Sequence, residues 1–288
     1  MKRLLLAAVL AVAMLVPAAS ASAELTGEYA RFGKCPTSVS SVEVCIYAES
    51  SAGTFTLGKK TVPLKNPVIL QGGAGGPFGI FGPMTMVAAT DGNTLSKTPQ
   101  TVPGGLLGIE APAWWPQFIK DLFNETINNG FTGVTATVEL AAPASSVKIS
   151  LANVLSGEGA AFVLPVKVKL SNPFLGSNCY IGSNSSPINL NLTTGKTSPP
   201  PPNTSISGFP GNIVSIEEGN ILVDSENKIV DNAFAAGGAN GCGGILLSWA
   251  IDPFVNSIVG VPSAAGTNTA ILEGTNWVGS APAVKERQ

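Results

Sequence analysis

Acidic residues are the side chains of this sequence with the clearest capacity for chemistry. Glu217, Glu218, Asp224, Glu226 and Asp231 form an acidic cluster within one short stretch. A glycosidase needs two carboxyl groups about 5 to 10 Å apart, so the cluster is a candidate source of such a pair. The chain contains 18 acidic residues, however, and a solvated surface gives the same pattern. We expect solvated acids here and assign no catalytic residue.

Histidine is absent from the sequence. Ser-His-Asp and Cys-His catalytic sites and zinc sites with imidazole ligands are therefore excluded. A glycine-rich stretch at residues 72–76 follows an apolar strand pattern, in the manner of an oxyanion or nucleotide loop. No serine elbow accompanies it, and Pro77, Gly79, Gly82 and Pro83 prevent the helix that a nucleotide loop requires. We predict a flexible surface loop, and neither a cofactor nor a metal site.

Trp114 and Trp115 lie between Pro112 and Pro116. Exposed indoles can stack on sugar rings or enter lipid, which makes this pair a possible ligand contact. The alternative is a hydrophobic anchor at the start of the following helix. Both interpretations stay open, and the anchor is favoured.

The four cysteines, Cys35, Cys45, Cys179 and Cys242, predict two disulfides in an exported chain. Three pairings are possible, and we favour Cys35–Cys45 with Cys179–Cys242. The first pair flanks a segment short enough for a hairpin. The second closes a long loop, for which the entropic model gives the larger stabilisation.

The first 23 residues have the three parts of a secretory signal peptide. Lys2 and Arg3 precede an apolar run of 13 residues, and Ala21 and Ala23 supply the small residues of a cleavage site. The run is too short for a transmembrane anchor, which needs about 20 residues. Removing Lys2 and Arg3 leaves 14 basic residues against 18 acidic ones, a net charge of −4. This balance disfavours nucleic-acid binding and predicts an extracellular, secreted protein, with cell-wall association as a further expectation.

Alternating apolar and polar residues predict a mostly β protein. The pattern is clearest at residues 134–140, 147–151, 166–170, 188–192 and 213–216. Apolar residues at helical spacing predict two helices, at 117–129 and 245–259, with Pro253 breaking the second.

The order of several landmarks is the same in both halves of the chain. Asn66-Pro67, Gly92 and Asp121 are matched by Asn172-Pro173, Gly195 and Asp252. We interpret this as an internal duplication giving two similar β-sandwich or barrel-like units, each with one short helix. The predicted units are 24–142 and 143–279, followed by a disordered tail at 280–288.

Several segments resemble secreted actinobacterial proteins of unknown function. They are residues 95–105, 133–136, 167–184, 192–195, 199–203, 230–234, 260–266 and 268–271. The resemblance covers most of the chain after the signal peptide. It implies export and β architecture, and it implies no activity.

Three functional hypotheses follow. The first is a secreted, non-enzymatic structural or adhesive protein of the cell envelope or extracellular space. The second is a carbohydrate-binding protein or a carboxylate-type glycosidase that uses the acidic cluster or the tryptophan pair. The third is a lipid-binding protein, because charge is low and residues 245–259 form an amphipathic segment. The corresponding partners are a cell-wall glycan, a lipid or a second copy of the chain.

Overall fold

The computed structural model of the protein describes residues 25–79, 82–129 and 131–288, so the predicted signal peptide lies outside the described residues. The fold is mostly β. The strands are β1 Val44–Leu57, β2 Lys60–Pro63, β3 Val68–Gly75, β4 Met84–Ala88, β5 Gln100–Thr101, β6 Thr135–Leu140, β7 Lys148–Ile149, β8 Phe162–Ser171, β9 Tyr180–Ile181, β10 Ile188–Leu192, β11 Asn212–Ile216, β12 Ile221–Asp231, β13 Ala239–Asn240 and β14 Thr269–Ser280. The α-helices are α1 Gln117–Asn128, α2 Leu151–Ser156, α3 Gly244–Val259 and α4 Ala281–Lys285.

Both predicted helices are present, as α1 and α3. Pro253 lies inside α3 without ending it. The alternating segments correspond to β6, β7, β8, β10 and β11, although the strand predicted over 147–151 ends at Ile149. There Ser150 accepts the backbone N–H of Asn153 and begins α2, because a serine at this position satisfies a free donor of the first helical turn.

The 14 strands form one antiparallel sheet in the order β11-β12-β14-β1-β3-β4-β7-β8-β6-β5, with β2, β9, β10 and β13 paired alongside. A bridge between Thr193 and Val230 joins the end of β10 to β12. Since β10 also pairs with β8, the paired strands return on themselves in a circuit of β12, β14, β1, β3, β4, β7, β8 and β10. The main hydrophobic core contains residues from each of these strands.

Strands from both predicted units share this sheet. β14, from the second unit, lies between β12 and β1, and it pairs with β1 along almost the whole length of that strand. Likewise β8 pairs with β6 across the predicted boundary. The structure does not show the internal duplication, and the unit boundaries stay predictions.

A second, smaller core lies beside the first disulfide. The structure contains Cys35–Cys45 and Cys179–Cys242, the favoured pairing, with S–S distances of 2.02 and 1.98 Å. Cys35 and Cys45 pack with Tyr29, Phe32, Ile221 and the buried residues of α4. The expected disordered tail is therefore wrong: residues 281–285 are helical because Ala281, Ala283 and Val284 bury their side chains in this core.

The glycine-rich stretch is not a surface loop either. Residues 71–75 belong to β3, which pairs with β1 and β4. A Cβ atom on Gly75 would lie 1.9 Å from the carbonyl oxygen of Ser41, and one on Gly73 would lie 2.7 Å from Val42. The glycines allow residues 41–42 to cross closely over the strand. Composition alone does not distinguish glycines that permit such a close approach from glycines in a loop.

Candidate functional site

An apolar cavity lies within the core between the two sides of the sheet. The volume of this cavity is about 120 Å³, roughly ten times the space that one water molecule needs. Strands β1, β2 and β3 form one wall, and β6, β8 and β10 form the other. The aliphatic and aromatic lining consists of Phe55, Leu57, Val62, Leu64, Val68, Leu95, Val102, Ala136, Val138, Leu164, Val166, Val168, Leu170, Ile181, Leu190, Leu192, Val259 and Leu272.

Three polar residues also line this cavity: Lys60, Thr98 and Gln100. The Gln100 side chain is engaged in the wall, where its Oε1 accepts the N–H of Lys65 at 2.9 Å and its Nε2 donates to the Asn66 carbonyl at 2.7 Å. Thr98 pairs with Ser96 at 2.9 Å between hydroxyl oxygens. These two residues hold the wall together, and Lys60 supplies the cationic group.

Lys60 connects the cavity to a second apolar pocket. Lys60, Val102, Leu170 and Val259 line both spaces. The second pocket continues between the 3-10 turn Gly105–Leu107 and the C-terminal half of α3, where Phe254 and Ile258 form its wall. The second pocket therefore adjoins the cavity at these four shared residues.

Helix α1 exposes its apolar side. It is amphipathic, yet none of its residues is buried in the described structure. The side chains of Phe118 and Leu122 are 71% and 66% exposed. An amphipathic helix in a globular protein normally packs its apolar stripe against a core, so this stripe lacks its usual cover among the described residues.

Helix α3 is exposed in the same way near its start. Ile245, Leu246 and Trp249 are largely exposed, and Val255 is the buried residue of the helix. The start of α3 adjoins Leu175, whose carbonyl accepts the N–H of Gly243 at 2.8 Å. No helix among the described residues is both long enough and apolar enough to cross a membrane.

Phe131 and Phe174 link the two helices. Their ring centroids are 6.4 Å apart, and Phe131 follows α1 while Phe174 directly precedes Leu175. Both side chains are exposed. We name this exposed surface the apolar rim, and it comprises Phe118, Leu122, Phe131, Phe174, Ile245, Leu246 and Trp249.

The tryptophan pair divides into two different environments. Trp115 is half-buried, with its ring edge-on to Phe123 of α1 at 5.4 Å between centroids. This contact matches the anchor interpretation. Trp114 is 81% exposed and stands nearly perpendicular to Trp115, so the pair forms no flat platform for a sugar ring.

Asp224 of the acidic cluster lies in β12 and joins this strand to β14 and to the segment before β11. Its Oδ1 accepts the N–H of Gly211 at 2.9 Å, and its Oδ2 accepts the Asn276 amide at 3.1 Å. Burial raises the pKa of this carboxyl, and the hydrogen bonds from Asn276, Gly211 and Asn227 lower it in part. Asp224 therefore fixes β12 between the edge near β11 and strand β14.

Asp231 has a similar role at the closure of the strand circuit. Its Oδ2 accepts the N–H of Asn191 in β10 at 2.7 Å, and its Oδ1 accepts the N–H of Ala233 at 2.9 Å. Burial raises the pKa of this carboxyl, and both hydrogen bonds oppose the rise. Asp231 lies seven positions after Asp224 in the same strand, which places the two residues about 20 Å apart and beyond the glycosidase spacing.

The glutamates of the cluster lie in turns. Glu217 and Glu218 form the turn between β11 and β12, and Glu217 lies 3.7 Å from Arg287. Glu226 occupies a bulge of β12 with φ of 59° and accepts the Asn212 amide at 3.0 Å. It shares an open cleft with Glu273, and both glutamates are exposed. The described residues contain no group of three or more potential metal-binding side chains.

The cavity and most of the apolar rim were missed by sequence reasoning. The apolar pattern at 245–259 signalled α3, but nothing in the sequence separates an exposed apolar helix from a buried one. The cavity depends on contacts between strands far apart in the chain. No protein-family model, curated protein or solved structure matches this chain.

Proposed function

We propose that this protein is an extracellular, non-enzymatic lipid-binding protein that accommodates a hydrocarbon chain in the apolar cavity. The observation that carries the proposal is the apolar lining of the core cavity, which shares Lys60, Val102, Leu170 and Val259 with the pocket beneath α3. Water finds few hydrogen-bond partners in an apolar cavity of this kind, so the cavity favours apolar ligands. Of the three hypotheses from the sequence, the geometry supports the third best.

The apolar rim supports the same proposal. Its aromatic and aliphatic side chains lie on α1, α3 and the two phenylalanines that link them. Exposed patches of this composition mark contact sites for lipids or proteins. Trp249 and Trp114 have the amphipathic indole that is enriched at lipid–water interfaces. We infer that the apolar rim contacts a lipid surface, from which a ligand reaches the cavity.

The experiment is binding of Nile red, a neutral apolar dye, to delipidated protein, together with native mass spectrometry of protein purified without delipidation. We expect dye binding and a co-purified apolar species. Val138→Phe fills part of the cavity and should weaken dye binding at least about fivefold, since the cavity loses volume. The matched control is Val223→Phe in β12, a half-buried valine outside the cavity lining. Equal dye binding by both variants, with unchanged melting temperatures, argues against the cavity as the site.

A further inference from the structure

We propose that Lys60 is the anchor for a carboxylate head group, so that the ligand class is a long-chain carboxylic acid with its hydrocarbon tail in the apolar cavity. This inference rests on the proposed function, and it adds the head-group chemistry that the cavity selects.

Lys60 begins β2, directly after the tight turn that follows β1. Its side chain is only 11% exposed and lines both the cavity and the pocket beneath α3. The Nζ atom lies 2.7 Å from Glu110 Oε1 and donates to the Gly108 carbonyl at 3.2 Å. Lys60 thus lines apolar space, and its ammonium group has its partners in the segment that contains Gly108 and Glu110.

The ammonium group retains donor capacity. A lysine has three N–H donors, and among the described residues Lys60 uses two, toward Glu110 and Gly108. Gln100 and Thr98, the other polar lining residues, have their partners within the wall. Lys60 is therefore the lining group best able to bind the polar end of a ligand.

The contact with Glu110 indicates which ligand group Lys60 can bind. A carboxylate already pairs with the ammonium group at 2.7 Å, and the Glu110 side chain is 57% exposed. An incoming carboxylate replaces Glu110 with the same charge and geometry, so the buried cation stays paired. Released Glu110 returns to water, which costs little because its side chain is already 57% exposed. A neutral alcohol cannot replace that charge.

The test compares dodecanoate with 1-dodecanol, which share a chain and differ in the head group, by displacement of Nile red at pH 8. We expect the intact protein to bind dodecanoate at least tenfold more tightly than the alcohol. Lys60→Met should lower the dodecanoate affinity about tenfold and so largely remove the preference for dodecanoate over dodecanol. Glu110→Gln should raise the dodecanoate affinity, because it removes the competing carboxylate. The control is Lys59→Met, which removes an exposed lysine next to the site.

The outcomes separate the two proposals. If Lys60→Met binds Nile red and dodecanoate as the intact protein does, the anchor is wrong and the lipid-binding function stands. If the intact protein binds neither Nile red nor dodecanol, the proposed function fails and the anchor fails with it. A loss of dodecanoate affinity in Lys59→Met equal to that in Lys60→Met also overturns the anchor, because it reports general charge attraction.

Discussion

The carboxylate of Asp252, in the middle of α3, accepts the backbone N–H of Cys242 at 2.7 Å. Its second oxygen accepts the N–H of Gly241 at 3.2 Å. Cys242 is bonded to Cys179, so this contact and the disulfide together tie α3 to β9 and the sheet. A helix that carries much of the apolar rim, with little buried surface of its own, is held by these attachments.

Replacing Asp252 with Ala should loosen α3. Two backbone donors lose a charged acceptor, which we expect to cost about 1–3 kcal/mol in the free energy of unfolding. Urea denaturation measures the cost, and hydrogen exchange should show faster exchange within α3. Asp121→Ala is the matched control, because Asp121 of α1 is exposed and its carboxylate accepts the Gln117 side-chain amide within the same helix. Equal losses of unfolding free energy in both variants would contradict the role of Asp252 in holding α3 to the sheet.

The two disulfides should differ in their contribution to stability. Cys35–Cys45 spans 10 residues and Cys179–Cys242 spans 63. The chain-entropy relation then gives about 2.7 and 4.3 kcal/mol respectively. We therefore expect the Cys179→Ser, Cys242→Ser double variant to melt at a lower temperature than Cys35→Ser, Cys45→Ser. Calorimetry of both variants makes the comparison, and the reverse order would show that native packing around Cys45 outweighs loop length.

Asp231 should give stability a distinct pH dependence. Burial raises its folded-state pKa above the ordinary value of 3.8, so the folded protein takes up this proton before the unfolded chain does. The contribution of Asp231 therefore favours folding most below pH 3.8 and is lost as pH rises through the raised pKa. We expect the unfolding free energy of the intact protein, taken relative to that of Asp231→Asn, to increase as pH falls over this range. Urea titrations at several pH values measure it, and a difference that does not change with pH would refute the assignment.

Vesicle binding should depend on Trp249. This side chain is 77% exposed in the apolar rim, and Trp249→Glu places a charge where lipid contact is proposed. We expect at least about a tenfold loss of sedimentation with neutral phosphatidylcholine vesicles, given the area an indole buries. Binding of the intact protein should change little with salt, because the apolar rim carries no charge.

The control for the vesicle experiment is Phe209→Glu, which changes a half-exposed aromatic outside the apolar rim. A contrary outcome is also informative. If Trp249→Glu dissolves a dimer of the intact protein and vesicles never bind it, the apolar rim is a contact between copies, in agreement with the structural or adhesive hypothesis.

Gly75 should tolerate no side chain. Gly75→Ala brings a methyl group within 1.9 Å of the Ser41 carbonyl, whereas a Cβ atom on Gly33 meets only the Ala30 carbonyl at 3.5 Å. We expect Gly75→Ala to lower the free energy of unfolding by about 2 kcal/mol or more and Gly33→Ala to change it little. Chemical denaturation measures the unfolding free energies of both variants. Similar values for Gly75→Ala and Gly33→Ala would show that residues 41–42 shift easily.

Local pattern predicted the regular parts of this fold. In β10, Ile188, Leu190 and Leu192 are buried while the two asparagines between them are exposed, so alternation alone locates the strand. Strand β1 is different. It runs through Ser50, Ser51 and Gly53 with a register shift near Ser50, and its stability comes from pairing with β3 and β14 rather than from its own sequence.

The candidate site was less predictable than the strands. Lys60 is one of 16 basic residues, and only the positions of β2, β6 and β8 reveal that its stem lines an apolar cavity. Asp224 and Asp231 drew attention as acids, but the backbone N–H groups that they accept come from other segments of the chain. Residue type alone therefore drew no attention to Lys60, and the expectation of solvated acids is wrong for Asp224 and Asp231, which are buried.

The position of β14 has a consequence for how the chain reaches its native state. β14 lies between β12 and β1 although it follows both in the chain, so the circuit of strands cannot close until residues 269–280 have been synthesised. Until then β1 keeps a long edge with unpaired N–H and C=O groups, which is open to pairing with other chains. Contacts over such long separations also slow folding. A chain interrupted before residue 269 thus leaves this edge of β1 without its partner strand, which favours pairing with other chains.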